Sequence, residues 1–289
     1  MSADGPAVRF THAEQDSALK TWRYLRLAMV ALVIGLGASV LYEVSKVHWD
    51  CTQTSISAYY YTPVRAYFVA ALVAIGVCLY CLKGSTPLED AALNLAGLLA
   101  PIVGLVPTPA NAGQALCTSF RPAATGTPEN VANNVTALIV VVGFGLGLIV
   151  VLTVLGWRSD PPDLTSRIGF GLAALVWVVT MVVFWGFRHT FLYNAHYFAA
   201  IPMFLLITFV VVVNALGLRR ERGNRGVRNL YAVIAAIMVS SLVVCGLLGW
   251  LAGWDHWILA LEIILIGCFA VFWAYQTKDL WNEGLRGGA

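Results

Sequence analysis

Eight long apolar runs, separated by more polar connections, set the first constraint on this chain. They fall at 25–45, 65–82, 91–107, 134–156, 167–187, 194–217, 230–251 and 256–276. A helix crossing roughly 30 Å of hydrocarbon at 1.5 Å per residue needs about 20 apolar residues, and each run approaches or exceeds that length. Barrel strands would alternate apolar and polar residues over about ten positions; these runs are continuously apolar. The expected fold is therefore all-α, a polytopic transmembrane bundle of eight helices. Composition agrees, because 59% of the 289 residues are hydrophobic and only 11% are charged, whereas soluble domains hold about 45–50% and about 25%. Such a chain lacks the polar surface of a water-soluble globule, and its net charge of +3 is too small for a nucleic-acid binder.

The cations orient the bundle. With the N-terminus inside, Arg9, Lys20, Arg23, Arg26, Lys83, Arg158, Arg167, the cluster Arg219 to Arg228, Lys278 and Arg286 lie on the cytoplasmic side, and only Lys46, Arg65, Arg121 and Arg188 lie outside. This follows the positive-inside rule and places both termini in the cytoplasm. Residues 1–24 read as a cytoplasmic tail, 25–276 as the membrane domain, and 277–289 as a cytoplasmic or interfacial tail carrying Trp281. The expected location is a bacterial-type plasma (inner) membrane. Cys51 and Cys117 then share the oxidising side, where they are placed to close a disulfide between outer loops with stabilisation of about 2–4 kcal/mol. Cys78 and Cys81 form a C-x-x-C inside an apolar run and read as core residues.

Two runs carry internal punctuation. Span three contains Gly97, Pro101 and Gly104 and ends at Pro107, so it is expected to bend and free carbonyls. Span four contains Gly143-x-x-x-Gly147, a pattern that lets another helix approach closely.

Polar residues gather at one membrane level once the orientation is set. Glu43 lies at the end of span one, with His48 and Asp50 just after it; Arg188 and His189 precede span six, whose first turn holds Asn194 and His196; Asp255 and His256 stand at the start of span eight. Glu262 lies inside span eight, about 10 Å below its outer end at 1.5 Å per residue. An acid at that depth must face the bundle interior and find a partner. The expected pocket comprises His196, Glu262, Asn194, Glu43, His48, Asp255, His256 and His189, with His196 as the partner of Glu262. Pro202 should leave the Phe198 carbonyl without its helical donor, one turn below the imidazole, and Asn214 continues a polar stripe along the same helix face. Ser55 to Arg65 contains three consecutive tyrosines, Tyr59, Tyr60 and Tyr61, and with Arg65 they read as the pocket's outer ligand rim.

Four functions suit this set. The leading one is recognition of a lipid or small amphiphile at the outer leaflet. The second is a metal-dependent membrane hydrolase acting on such a ligand, with zinc as the cofactor and His189, His196 and His256 as candidate ligands; no H-E-x-x-H spacing is present. The third is a proton-coupled transporter using His196 and Glu262, and the fourth a structural scaffold. Membrane lipids are the expected partners, nucleic acid is not, and oligomeric state is not legible.

The Ile56-Ser57 outer segment, Pro63 just before span two and the proline-containing third span together resemble uncharacterised bacterial multi-pass proteins of the DUF998 type, which are similar in turn to the Frag1/DRAM membrane proteins. The resemblance covers residues 50–110. It implies an integral membrane protein of undefined activity and transfers no catalytic residue.

Overall fold

A computed structural model describes residues 12–109, 128–156, 164–221 and 225–281. The described residues form eight α helices and no strand: α1 His12–Lys46, α2 Arg65–Cys81, α3 Pro87–Leu105, α4 Pro128–Val154, α5 Leu164–Gly186, α6 Arg188–Glu221, α7 Arg225–Ala252 and α8 Trp257–Asp279. One short 3-10 helix, Ser57–Tyr61, lies between α1 and α2. Seven of the eight α helices are long and apolar enough to cross a membrane; α2, with 17 residues, is apolar but shorter. The expected run 65–82 is thus a helix of about 25 Å, which falls a little short of the hydrocarbon thickness.

Helix ends differ from expectation where the spans extend into flanking polar sequence. α1 begins at His12, so much of the expected tail is helical. α4 starts at Pro128 and takes in residues expected in the outer loop. α3 starts where Thr86 accepts a hydrogen bond from the Glu89 amide at 3.2 Å and Pro87 occupies the first turn, a capping arrangement that removes an orphan donor.

The expected interruption of span three is not a break, since α3 runs unbroken through Pro101. Proline removes the donor that would have bonded the Gly97 carbonyl. That carbonyl faces Gly76 of α2: a Cβ at Gly76 would lie 2.6 Å from it, and a Cβ at Gly97 would lie 2.7 Å from the Gly76 carbonyl. The two helices therefore cross with backbone against backbone, which small residues alone permit. α2 and α3 also form the most extensive helix pair, followed by α3 with α6. In span four only half the glycine motif is used. Gly143 makes room for Trp177 of α5, whose indole donates to the Ile139 carbonyl at 2.8 Å, while Gly147 faces open space.

α4 and α5 lie at the margin, with Val140, Phe144, Val151 and Val179 exposed, as expected of surfaces turned to lipid. The core lies chiefly among α1, α2, α3, α6, α7 and α8, around Met29, Leu79, Val211, Met238 and Phe272, and is joined by Val135 and Ile139 of α4 and Phe184 of α5. A second cluster forms at the end of the bundle that carries the 3-10 helix. There Leu36, Val40 and Val44 of α1 pack with Ile56, Tyr59, Tyr60, Val64 and Phe68.

The glycine crossing makes a direct prediction. Gly76→Ala or Gly97→Ala should destabilise the bundle by about 1–3 kcal/mol, the usual cost of overpacking, whereas Gly37→Ala and Gly145→Ala, which meet nothing within 4 Å, should not. Thermal unfolding in detergent micelles checks this, and equal behaviour of all four variants would contradict the crossing.

Candidate functional site

The segment joining α1 to α2 folds into the end of the bundle. Gln53, Thr54, Ser55, Ile56, Ser57, Ala58, Tyr59, Tyr60, Thr62 and Val64 are all buried. Its own hydroxyls shape it: Ser55 accepts from the Ala58 amide at 2.9 Å and Thr62 donates to the Tyr59 carbonyl at 2.7 Å. Such local bonds give the backbone an alternative to a longer helix.

Helix α8 holds this segment with its first two turns. The amides at a helix start lack intrahelical acceptors, and the Leu259 amide donates to the Thr54 carbonyl at 2.9 Å. One turn further, the Glu262 carboxylate accepts from the Ile56 amide at 2.5 Å and from the Ser57 hydroxyl at 2.9 Å. Both oxygens of the buried acid are therefore engaged. A further tie is made by Tyr61, whose hydroxyl donates to the Thr108 carbonyl beyond α3 at 2.5 Å. Burial pushes the Tyr61 phenol up to about 12, so it remains a donor at any physiological pH.

His196 performs the matching task at the end of α3. Its Nδ1 lies 2.7 Å from the Val106 carbonyl; because a carbonyl only accepts, that nitrogen carries the proton. Val106 sits at the C-cap of α3, where carbonyls lack helical donors. The imidazole, 2% exposed, bonds this carbonyl and not that of Phe198, the acceptor expected from Pro202.

Glu262 and His196 both line one cavity of about 320 Å³, enclosed by α6, α7 and α8 and closed at one end by Ser55 and Thr108. The two side chains do not bond each other; each holds a different piece of backbone. Most of the remaining wall is apolar: Ala200, Ile201, Phe204 and Leu205 from α6, Leu242 from α7, and Trp257, Ile258, Leu261 and Leu265 from α8. Ile201 and Leu205 are exposed, so the cavity opens between α6 and α8 toward the outside of the bundle. Its volume lies at the lower end of the range for small-molecule sites, about 300–1,000 Å³.

The other expected pocket residues do not reach this cavity. Glu43 is buried but forms an ion pair with Lys46 at 2.8 Å, one turn along α1. His48 lies in the turn two residues after α1, in a left-handed backbone conformation with φ 54°, and is exposed. His189 and Asp255 are exposed, and His256 occupies the N-cap of α8 without a side-chain capping bond. Asn194 donates to the Thr190 carbonyl within its own helix. The expected rim is also elsewhere: Tyr59 and Tyr60 are interior, and the Arg65 guanidinium stacks on the Tyr60 ring at 4.6 Å. Residues near a helix end share a level but point in different directions, and level alone had grouped them. Among the described residues, no three His, Cys, Asp or Glu side chains converge as a metal site, so His189, His196 and His256 do not form the zinc set considered above. Cys78, Cys81, Cys245 and Cys268 are free thiols; Cys51 is not among them, and its expected partner Cys117 lies outside the described residues, as does Arg121.

At the opposite end Asn214, expected on a polar stripe of α6, belongs to a second buried polar group whose other members were not anticipated. Gln276 of α8 donates to Asn214 at 3.0 Å, and Asn214 of α6 donates to Glu89 at 2.7 Å. Glu89 of α3 in turn accepts from the Ser85 amide at 2.9 Å. Nearby, Arg26 of α1 lies 3.4 Å above the Trp22 ring and 5.0 Å from that of Trp273. Thr86-x-x-Glu89 before an apolar run was the available signal for Glu89, and Trp22 and Arg26 stand one turn apart.

No protein-family model matches this chain, and neither a curated protein nor a solved structure matches it.

Removing the Glu262 carboxylate strands a buried amide and a buried hydroxyl. Glu262→Ala should lower unfolding stability by about 1–3 kcal/mol for each group left unsatisfied, and Glu262→Gln, which keeps one acceptor oxygen, should lose less. An alanine variant with the wild-type unfolding midpoint would contradict the anchoring role.

Proposed function

We propose that this multi-pass membrane protein binds a lipid or small amphiphile of the outer leaflet in the cavity between α6 and α8. The observation that carries the reading is a largely apolar cavity, open toward the lipid-facing side, with its polar groups at one end only. An amphiphile matches that polarity, with its tail among Ala200, Leu205 and Leu261 and its polar end toward Ser55, Thr108, His196 and Glu262. The acid and the imidazole contribute mainly by holding the segment and the helix end that form the polar wall, since each is already bonded.

Eight crossings with both termini in the cytoplasm, and the excess of cations on the opposite side, support an outward placement of this end of the bundle. On that reading α2 crosses despite its length, by local thinning of the bilayer. The bacterial inner membrane and the likeness to the DUF998 type belong to the same proposal, as does a Cys51–Cys117 disulfide tethering the two outer connections.

Mass spectrometry of the intact protein released from mild detergent tests this reading. Wild type should carry a co-purified lipid and should be lighter than the fully reduced chain by the hydrogens lost in one disulfide. Ala200→Trp, which fills the cavity, should fold and lose the lipid. A folded wild type without bound lipid, or equal lipid retention by Ala200→Trp, would overturn the proposal.

A further inference from the structure

Below the cavity lies a second, smaller void of about 50 Å³, and a single side chain, Phe204, lines both. Phe204 stands eight residues after His196 on α6, about 12 Å deeper at 1.5 Å per residue. The deeper void is bounded by Val33 and Leu36 of α1, Leu72 of α2, Ile207 of α6 and Phe269 of α8, and every lining side chain is apolar. Its volume would admit a few waters, but a void without polar partners stays dry and takes up apolar matter instead. Polarity thus falls along one line: Ser55, His196 and Glu262 at one end, then Phe204 and Leu265, then Ile207 and Phe269.

We infer that Phe204 sets the length of the hydrocarbon tail the protein accepts, and that the ligand class is a single-tailed amphiphile with a linear chain. This rests on the proposed lipid-binding reading. The larger cavity holds the tail up to the phenyl ring, which is only partly buried and lies at the boundary of the two spaces. The deeper void is the smaller of the two spaces and its wall is apolar throughout, so it suits the end of one linear tail. Removing the ring joins the two spaces into one longer channel.

The test uses the full chain in detergent and a series of lysophosphatidylcholines whose saturated tails grow by single steps, with binding read by native mass spectrometry. Wild type should show a preferred tail length. Phe204→Ala should move that preference to longer tails, each added methylene that enters the deeper void tightening binding about fourfold, which corresponds to ~0.8 kcal/mol per buried methylene. Phe204→Trp should move it to shorter tails. Phe204→Leu provides a milder opening if the alanine variant unfolds, and thermal unfolding of each variant establishes that it is folded. Unchanged length preference in folded Phe204→Ala, Phe204→Leu and Phe204→Trp would overturn the inference while leaving lipid binding intact. Failure of wild type to retain any member of the series would overturn the binding site itself.

Discussion

The hydrogen bonds from the segment 53–62 to the start of α8 are what the rest of this end of the bundle depends on. Non-helical backbone is tolerated at membrane depth only when buried in protein with its polar groups satisfied. Here Leu259 supplies a donor and Glu262 two acceptor oxygens, three residues apart on one helix. Without them the amide of Ile56 and the hydroxyl of Ser57 would be buried without partners. Glu262 is thus retained in an apolar helix because it replaces the acceptor a regular helix would have provided. His196 does the reciprocal work with a donor for Val106. An acid for orphan amides and an imidazole for an orphan carbonyl close the same corner from α8 and α6.

Helices α6 and α8 repeat this pattern at the far end, where Asn214 and Gln276 link to Glu89 of α3. Between the two polar levels lies an apolar middle of Met203, Ile207, Val211, Leu265 and Phe269. Each polar group restrains the neighbouring helices where chain connections interrupt regular hydrogen bonding, and the apolar middle is left to packing. α6 and α8 themselves touch little, and it is between them that the cavity opens. Fixing the ends while leaving the middle of a helix pair apart is a simple way to keep a cavity in a bundle.

Much of the architecture was legible because spanning length and apolar continuity are strong signals. The run 194–217 appears inside α6 and the run 256–276 within α8 with a one-residue difference at its start. Failures came where tertiary packing decides. The run 65–82 already carries the shortness of α2, ending one residue beyond it, but the glycine crossing of Gly76 with Gly97 pairs residues of different spans that no local pattern connects. For the site, depth along a helix is readable from residue number, and it placed Glu262 and His196 at one level. Azimuth is not readable in a helix that is apolar all round, which is why Glu43, His48, Asn194, His189, Asp255 and His256 were grouped with them. The tyrosines of the 3-10 helix looked interfacial because aromatic side chains favour membrane surfaces; their burial depends on a fold of residues 53–62 fastened by an acid two hundred residues away.

Hydrogen exchange across residues 53–64, followed by mass spectrometry on the protein in lipid nanodiscs, tests this account most directly. The Ile56 amide should exchange as slowly as amides in the middle of α8, because its acceptor is a buried carboxylate, and should speed up strongly in a Glu262 variant lacking the carboxyl group. Exchange in the wild type at the rate of an exposed connection would mean that the segment is not fastened to α8, and the account of this end of the bundle would be wrong.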